Sequence, residues 1–215
     1  MKKIIEFQLS QGLLADGIIG PNTLKAFKSY LDLNEIELAN FLGQLHHETG
    51  GFKYDTESLN YSVRGLINTF SYYKKNQREA WKDGRFLTRS ANQMVIANKV
   101  YHDGNRDEKH KLGNKVIGDG WRYRGRGSIM ITGRYNYASL QNYIGYDVIN
   151  NPELVATQFY WESALWFFRV NFLWRLAVQD SVASITELTK NINGGLNGLD
   201  ERIRMTRYYL RILRG

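Results

Sequence analysis

Leu38, Phe41, Leu42 and Leu45 recur at helical spacing through residues 34–48, which marks an apolar face on a helix. Asn34 and Glu37 stand at its start with capping-box spacing and predict where it begins. Asn151-Pro152-Glu153 predicts a second start, with a cap residue, a proline for the first turn and an early acid. It leads into "LVATQFYWESALWFFRVNF". That run is apolar nearly all round and predicts a central buried helix. Residues 186–192 and 200–213 carry further helical patterns, the last with Arg202, Arg204, Arg207 and Arg211, and Arg214 just beyond. Period-two alternation is scarce and confined to "GSIMITG". The expected fold class is mainly α, with long loops rich in Gly and Asn.

Composition narrows the picture. With 215 residues, 43% of them hydrophobic, and 14 Tyr, 10 Phe and 5 Trp, one domain with an aromatic-rich core is affordable, or a main domain with a short appendage. The absence of Cys excludes a disulfide scaffold, a thiolate nucleophile and a Cys-ligated metal. A net charge of +8 calls for an anionic partner. Zinc-finger spacing, RNP-like strands and a basic region joined to heptads are all missing, so nucleic acid is not the expected one. Glu6, Gln8, Ser10 and Gln11 break any apolar signal-peptide core. The apolar run at residues 161–174 contains Glu162 and Arg169 and is too short to span a bilayer. Synthesis as a soluble cytoplasmic protein, without membrane insertion, is expected.

The candidate chemistry sits in "LHHETGGFKYDTESLNYS", residues 45–62. Glu48 lies three residues past Leu45 and seven past Phe41, so it continues the apolar face at the helix end. Desolvation there and the negative end of the helix both favour a protonated carboxyl, as a general acid requires. The plain alternative is a solvated helix-end residue. Gly50-Gly51 then permits a sharp turn, and Glu57 follows on a more polar loop expected to keep it ionised. Two carboxylates across a turn suit glycoside hydrolysis, one as acid and one as base. His46, His47, His102 and His110 do not form an HExxH zinc spacing. The stretch "GWRYRGRGSIMITG" lacks the order of a phosphate cradle. Its Trp121, Arg122, Tyr123, Arg124 and Arg126 read equally as an interaction surface or as a packed strand.

The ordered motifs "HETGGF", Glu57 with "LNYS", "DGWRYRGRGSIMITGRYNY" and "NINGG" resemble glycoside hydrolase family 19, and within it the phage endolysin branch. The resemblance runs from about residue 34 to the C-terminus. It implies a lysozyme-like, two-lobed helical fold with a central substrate cleft, and inverting hydrolysis of a β-1,4 bond between N-acetylated sugars. By the same resemblance, Glu48 is the general acid, Glu57 the general base, and Thr132 helps to hold the attacking water. Tyr135, Asn136 and Asn193 are implied sugar contacts, and Arg202, Trp121 and Arg124 complete the expected substrate-binding set.

Two departures bear on the substrate. Met130 stands where the family's chitinases usually carry Gln, which removes an amide that would bind an acetamido sugar. Thr132 stands where plant members have Ser, and the hydroxyl survives. The stretch "FQLSQGLLADGIIGPNTLKAF" is similar to the latter half of the small peptidoglycan-binding repeat. It reads equally as a turn leading into a capped helix. The expected organisation is a short peptidoglycan-binding-like segment over residues 1–32 and a catalytic domain over 33–215. The expected activity is that of an endolysin cutting the glycan of bacterial peptidoglycan, as a monomer without metal or cofactor. It would reach the wall after release by a separate holin-like factor. The alternatives are a chitinase, or a wall-binding protein that has lost its chemistry.

Overall fold

The computed structural model describes residues 2–215. Its α-helices, in chain order, are α1 (Lys2–Ser10), α2 (Pro21–Leu31), α3 (Glu35–Glu48), α4 (Val63–Thr69), α5 (Ser71–Lys75), α6 (Gln77–Asp83), α7 (Gln93–Val100), α8 (Asp119–Arg122), α9 (Arg134–Ile144), α10 (Tyr160–Val170), α11 (Trp174–Ala177), α12 (Val182–Asn193) and α13 (Leu199–Arg214). Among the described residues no strand forms, only isolated bridges. The fold is mainly α, as the apolar spacing predicts. The chain divides into two compact units, residues 1–55 with 164–215, and residues 56–163.

In the first unit, α3 starts as predicted. The Asn34 Oδ1 accepts from the backbone N–H groups of Ile36 and Glu37, and the Glu37 carboxylate accepts from the Asn34 N–H. Such a cap contributes about 1 kcal/mol. Beyond it α3 is buried on more than one face, from Leu38 through Leu45. Phe41 meets Phe168 and Trp174 at ring distances of 5.1 and 5.8 Å. Gly43 lets α13 approach closely, since a Cβ there would sit 2.9 Å from the Thr206 backbone nitrogen. Near the N-terminus, Phe7 of α1 stacks on Phe27 of α2 at 3.7 Å. Buried Gln8 donates to Asp16, the Ile18 carbonyl and Thr23, and accepts from the Gly17 N–H. The turn at residues 16–18 is thereby tied to both helices.

The second unit packs short helices around Leu59, Leu66, Tyr73, Ala80, Ile96, Ala97 and Val100. Buried Asp83 accepts from the Tyr73 hydroxyl at 2.8 Å and from Lys99 at 2.6 Å, which ties α5, α6 and α7 together. No helical pattern marked this region, because each helix is only five to eight residues long.

Three expectations are corrected. The long buried helix begins only at Tyr160. Before it, Pro152–Val155 forms a 3-10 turn, and the Phe159 N–H returns to the Leu154 carbonyl. The start at Asn151-Pro152 is real, but this tight turn closes it before an α-helix propagates. "GSIMITG" is not a strand. Arg126 and Ile131 pair across a tight turn in which Gly127 has φ +80° and Met130 φ +52°, conformations that extended backbone cannot contain. The helix expected over 186–192 starts earlier, at Val182, because the Ser181 hydroxyl accepts from the Ser184 N–H as a cap.

Candidate active site

Glu48 is the last residue of α3. Thr49 closes the helix by donating its hydroxyl to the Leu45 carbonyl, and accepts from the Phe52 N–H. Gly50, Gly51 and Phe52 then follow with φ of +58°, +75° and +61°. The glycines take this left-handed path without steric cost. Phe52 is held in it by its buried ring, set edge-on to His46 at 5.6 Å.

The Glu48 carboxyl does not sit among apolar side chains, as its stripe implied. Its neighbour is the Arg202 guanidinium from α13, at 2.5 Å from Oε1. Arg202 is 1% exposed. It also donates to the side-chain oxygen of buried Gln44 at 2.7 Å and to the Asn197 carbonyl at 3.2 Å. Gln44 in turn donates to Thr189. Arg202, expected among the sugar contacts, is therefore committed to holding Glu48. The carboxyl is partly exposed, and no hydrogen bond of the described residues reaches its Oε2. Just before Glu48 in the chain, His47 pairs with Glu201 at 2.6 Å and His46 meets the Tyr209 hydroxyl at 2.9 Å. Burial pushes the His46 imidazole below its usual value, so it adds no cation beside Glu48.

Asn193, at the end of α12, is exposed. It accepts from the Gly195 N–H at 2.8 Å and donates to the Asn197 carbonyl at 3.1 Å. The same carbonyl takes Arg202, so the "NINGG" turn connects to the support of Glu48.

In the second unit, Glu57 is half-buried and both its oxygens are engaged. The Gly125 N–H donates to Oε1 at 2.6 Å and the Tyr101 hydroxyl to Oε2 at 2.7 Å. The backbone reinforces this, the Glu57 N–H donating to the Gly125 carbonyl at 2.9 Å. A Cβ at position 125 would stand 3.1 Å from the Glu57 carboxyl carbon, so glycine is what admits the carboxylate. Burial, then the facing Glu57 charge, push the Tyr101 phenol far up; it remains a donor. Each carboxylate oxygen keeps a lone pair for a further hydrogen bond. Glu57 is thus more enclosed than its loop position implied.

The loop carrying Gly125 settles the reading of its basic residues one by one. Arg126 is buried and donates to the Arg122 carbonyl and the Tyr137 hydroxyl. It is a packing residue. The Arg124 guanidinium lies 3.7 Å from the centre of the Trp121 ring, and both side chains are half-buried. Thr132 donates to the Met130 carbonyl at 3.0 Å, and exposed Asn136 donates to the Thr132 carbonyl at 2.8 Å. Tyr135 is 56% exposed, its ring against Gly113. The fold therefore gathers Glu57, Trp121, Arg124, Thr132, Tyr135 and Asn136 in the second unit, and Glu48, Asn193 and Arg202 in the first. Among the described residues, no cluster of acids and histidines could hold a metal ion. No helix is long and apolar enough to cross a membrane.

Two supports escaped the sequence reading. Arg202 had a usable signal, since it lies three, four and seven residues before buried Met205, Thr206 and Tyr209. That spacing puts it on the inner face of α13, away from Arg204, Arg207 and Arg211. Tyr101, just past the end of α7, had no such signal.

The family pattern described as chitinase class I matches residues 102–186, the stretch that holds Trp121, Arg124, Thr132, Tyr135 and Asn136. A glycosyl hydrolase family 19 domain-containing protein of Haemophilus influenzae is 39% identical over 179 residues, 81% of this chain and 79% of that protein. Endochitinase 2 of Solanum tuberosum is 34% identical over 106 residues, 40% of this chain and 34% of that protein. Among solved structures, a chitinase C mutant aligns with a TM-score of 0.52 at 21% identity, over 84% of this chain and 73% of that one. A family 19, class IV chitinase from Zea mays aligns with a TM-score of 0.50 at 20% identity, over 90% of this chain and 78% of that one. These structural likenesses show the shared helical fold. The identity to the Haemophilus protein, sustained over most of both chains, shows the lineage: this chain is a glycosidase and belongs to glycosyl hydrolase family 19.

Proposed function

We propose that this chain is an endolysin, hydrolysing β-1,4 bonds in the glycan of bacterial peptidoglycan by an inverting acid–base mechanism. Glu48 is the general acid: Arg202 takes Oε1 and leaves Oε2 to carry the proton to the leaving oxygen. Glu57, oriented by Tyr101 and the Gly125 N–H, accepts a proton from the attacking water, which Thr132 helps to orient. The observation that carries the hydrolytic part is that each carboxyl is held from outside its own segment, Glu48 by Arg202 of α13 and Glu57 by Tyr101 and the Gly125 N–H. A protein that only bound the wall would need neither. Asn193, Tyr135, Asn136, Trp121 and Arg124 are the proposed sugar contacts.

Peptidoglycan is preferred over chitin on two grounds. Met130 offers a thioether where chitinases of the family usually present an amide, and the net charge of +8 favours an acidic polymer. Residues 1–32 are taken as a short wall-contact segment that exposes Leu9, Leu14 and Ile18. Synthesis in a host cytoplasm and release by a separate holin-like factor belong to the same reading. The second reading is a chitinase, favoured by the endochitinases matched over 40% of the chain.

The test compares purified sacculi with colloidal chitin at equal enzyme. Sugar-containing fragments should appear much faster from sacculi, and mass spectrometry of their reducing ends identifies the bond cut. Equal or faster release from chitin would overturn the endolysin reading in favour of the chitinase.

A further inference from the structure

The second unit has an open pocket of ≈ 860 Å³ that the proposed chemistry does not use, lined by Asn60, Ser62, Arg85, Phe86, Leu87 and Arg89 among others. Its wall is built rather than draped. The Arg85 N–H donates to the Tyr61 carbonyl at 2.8 Å, beside the bridge from Ser62 to Arg85. Phe86 and Arg89 pair to close a tight turn with Leu87 fully exposed at its tip. The Arg89 guanidinium is consumed by this turn. It donates to the carbonyls of Trp81 and Lys82 at the end of α6 and lies 5.1 Å from the Phe86 ring.

Arg85 differs. It is exposed at the pocket wall, and no hydrogen bond or ion pair of the described residues engages its guanidinium. In the same lining, the Asn60 side-chain oxygen accepts from the Ala91 N–H at 3.0 Å. That bond fixes the amide and leaves its NH2 group unengaged. The lining contains no acidic residue. The pocket therefore offers one free cation and one oriented amide donor beside the apolar surface of Phe86 and Leu87. That combination suits a carboxylate on a short chain with apolar side groups. A free surface arginine alone would say little, but the pocket's place adds weight. Asn60 is three residues from Glu57, so their Cα atoms are at most about 11 Å apart.

We infer that this pocket binds the acidic peptide branch carried by the wall glycan, with Arg85 pairing to a branch carboxylate. The inference rests on the endolysin reading. It gives that reading a basis for substrate choice, because chitin has no peptide branch. A contact remote from the reacting bond stabilises substrate and transition state alike, so its loss should appear in KM more than in kcat.

The experiment compares the full chain with Arg85→Ala and Arg85→Lys on three substrates: intact soluble peptidoglycan, the same strands stripped of peptide by an amidase, and colloidal chitin. Arg85 is exposed and its guanidinium enters no hydrogen bond or ion pair of the described residues, so both variants should fold, which circular dichroism checks. Arg85→Ala should lose roughly tenfold in kcat/KM on intact peptidoglycan, the size of one charge-assisted hydrogen bond. This loss should exceed any change on stripped strands, and Arg85→Lys should recover part of it. Titration of the 15N-labelled chain with the isolated wall tetrapeptide should shift the amides of Asn60, Arg85 and Ala91. Equal losses on intact and stripped strands, or no loss on either, would overturn the peptide site while the endolysin reading stands. Failure of the unaltered chain on both peptidoglycan forms, with activity on chitin, would overturn both.

Discussion

Glu48 and Glu57 receive opposite kinds of support. Glu48 is held at one oxygen by a buried cation whose other donors are spent on Gln44 and Asn197. Glu57 is held at both oxygens by neutral donors, a phenol and a backbone amide. This difference decides which substitution is the cleaner probe. Glu48→Gln keeps an oxygen for Arg202 and removes only the proton that the proposed mechanism transfers. Turnover on sacculi should fall by about 10²–10⁴-fold or more, and the fold should lose no more than roughly 1–2 kcal/mol. Near-normal turnover in a folded Glu48→Gln protein would end the proposed mechanism. Glu57→Gln is less clean, because an amide has one acceptor oxygen for two donors. With the amide oxygen kept on the Gly125 N–H, the Tyr101 hydroxyl would have to turn and accept from the NH2 group, at a cost of up to about 1–3 kcal/mol in addition to the loss of a base. Melting curves of the two variants should differ in that order.

At the scale of elements, α3 and α13 bring Glu48 and Arg202 together, and Gly43 sets how closely the two helices pass. Gly43→Ala would gain up to about 1 kcal/mol of helix propensity. The new Cβ, however, would press on the Thr206 side chain and its backbone nitrogen, and backbone cannot yield as a side-chain tip can. Overpacking costs roughly 1–3 kcal/mol, so a net loss of stability is expected. Because the widened crossing also pulls Arg202 from Glu48, kcat should fall although position 43 lies more than one helical turn from the carboxyl. A stabilised variant of full activity would show that the crossing does not position Glu48. Both helices were legible in the sequence, since each combines an apolar period with start signals: the Asn34–Glu37 box for α3, and Asp200 and Glu201 in the first turn of α13. The α4–α7 region was not, because helices of one or two turns take their stability from tertiary contacts such as the Asp83–Lys99 pair rather than from local pattern. Of the candidate site, the two carboxylates could be read from motif and spacing. The support of Glu48 was legible in principle, from the place of Arg202 on the inner face of α13. Those of Glu57 were not, because Tyr101 and Gly125 are distant from it in sequence and nothing local pairs either with it.

Across the whole molecule, several of the 14 tyrosines have phenols whose ionisation the fold opposes. Burial, reinforced by the Asp83 carboxylate, pushes the Tyr73 phenol far up, and burial with Glu57 does the same for Tyr101. Burial raises Tyr209 in the other unit, and pushes Tyr137 up to about 12 against the opposing effect of Arg126. An unfolded tyrosine ionises near pH 10. Above that value the unfolded chain gives up phenolic protons that the folded chain retains, so the folded state binds more protons and stability falls as pH rises. The contribution is fully present below about pH 10 and is lost progressively above it. For buried Tyr137 the interval from about 10 to about 12 corresponds to roughly 3 kcal/mol, enough by itself to matter against an ordinary stability of about 5–15 kcal/mol. The absorbance rise near 295 nm from Tyr73, Tyr101, Tyr137 and Tyr209 should therefore coincide with loss of helical circular dichroism, while urea midpoints fall steadily from about pH 10 upward. Ionisation of these four phenols near pH 10 while the helices persist would show that they are not held protonated by the fold, and that Tyr101 does not remain a donor to Glu57 in alkaline solution.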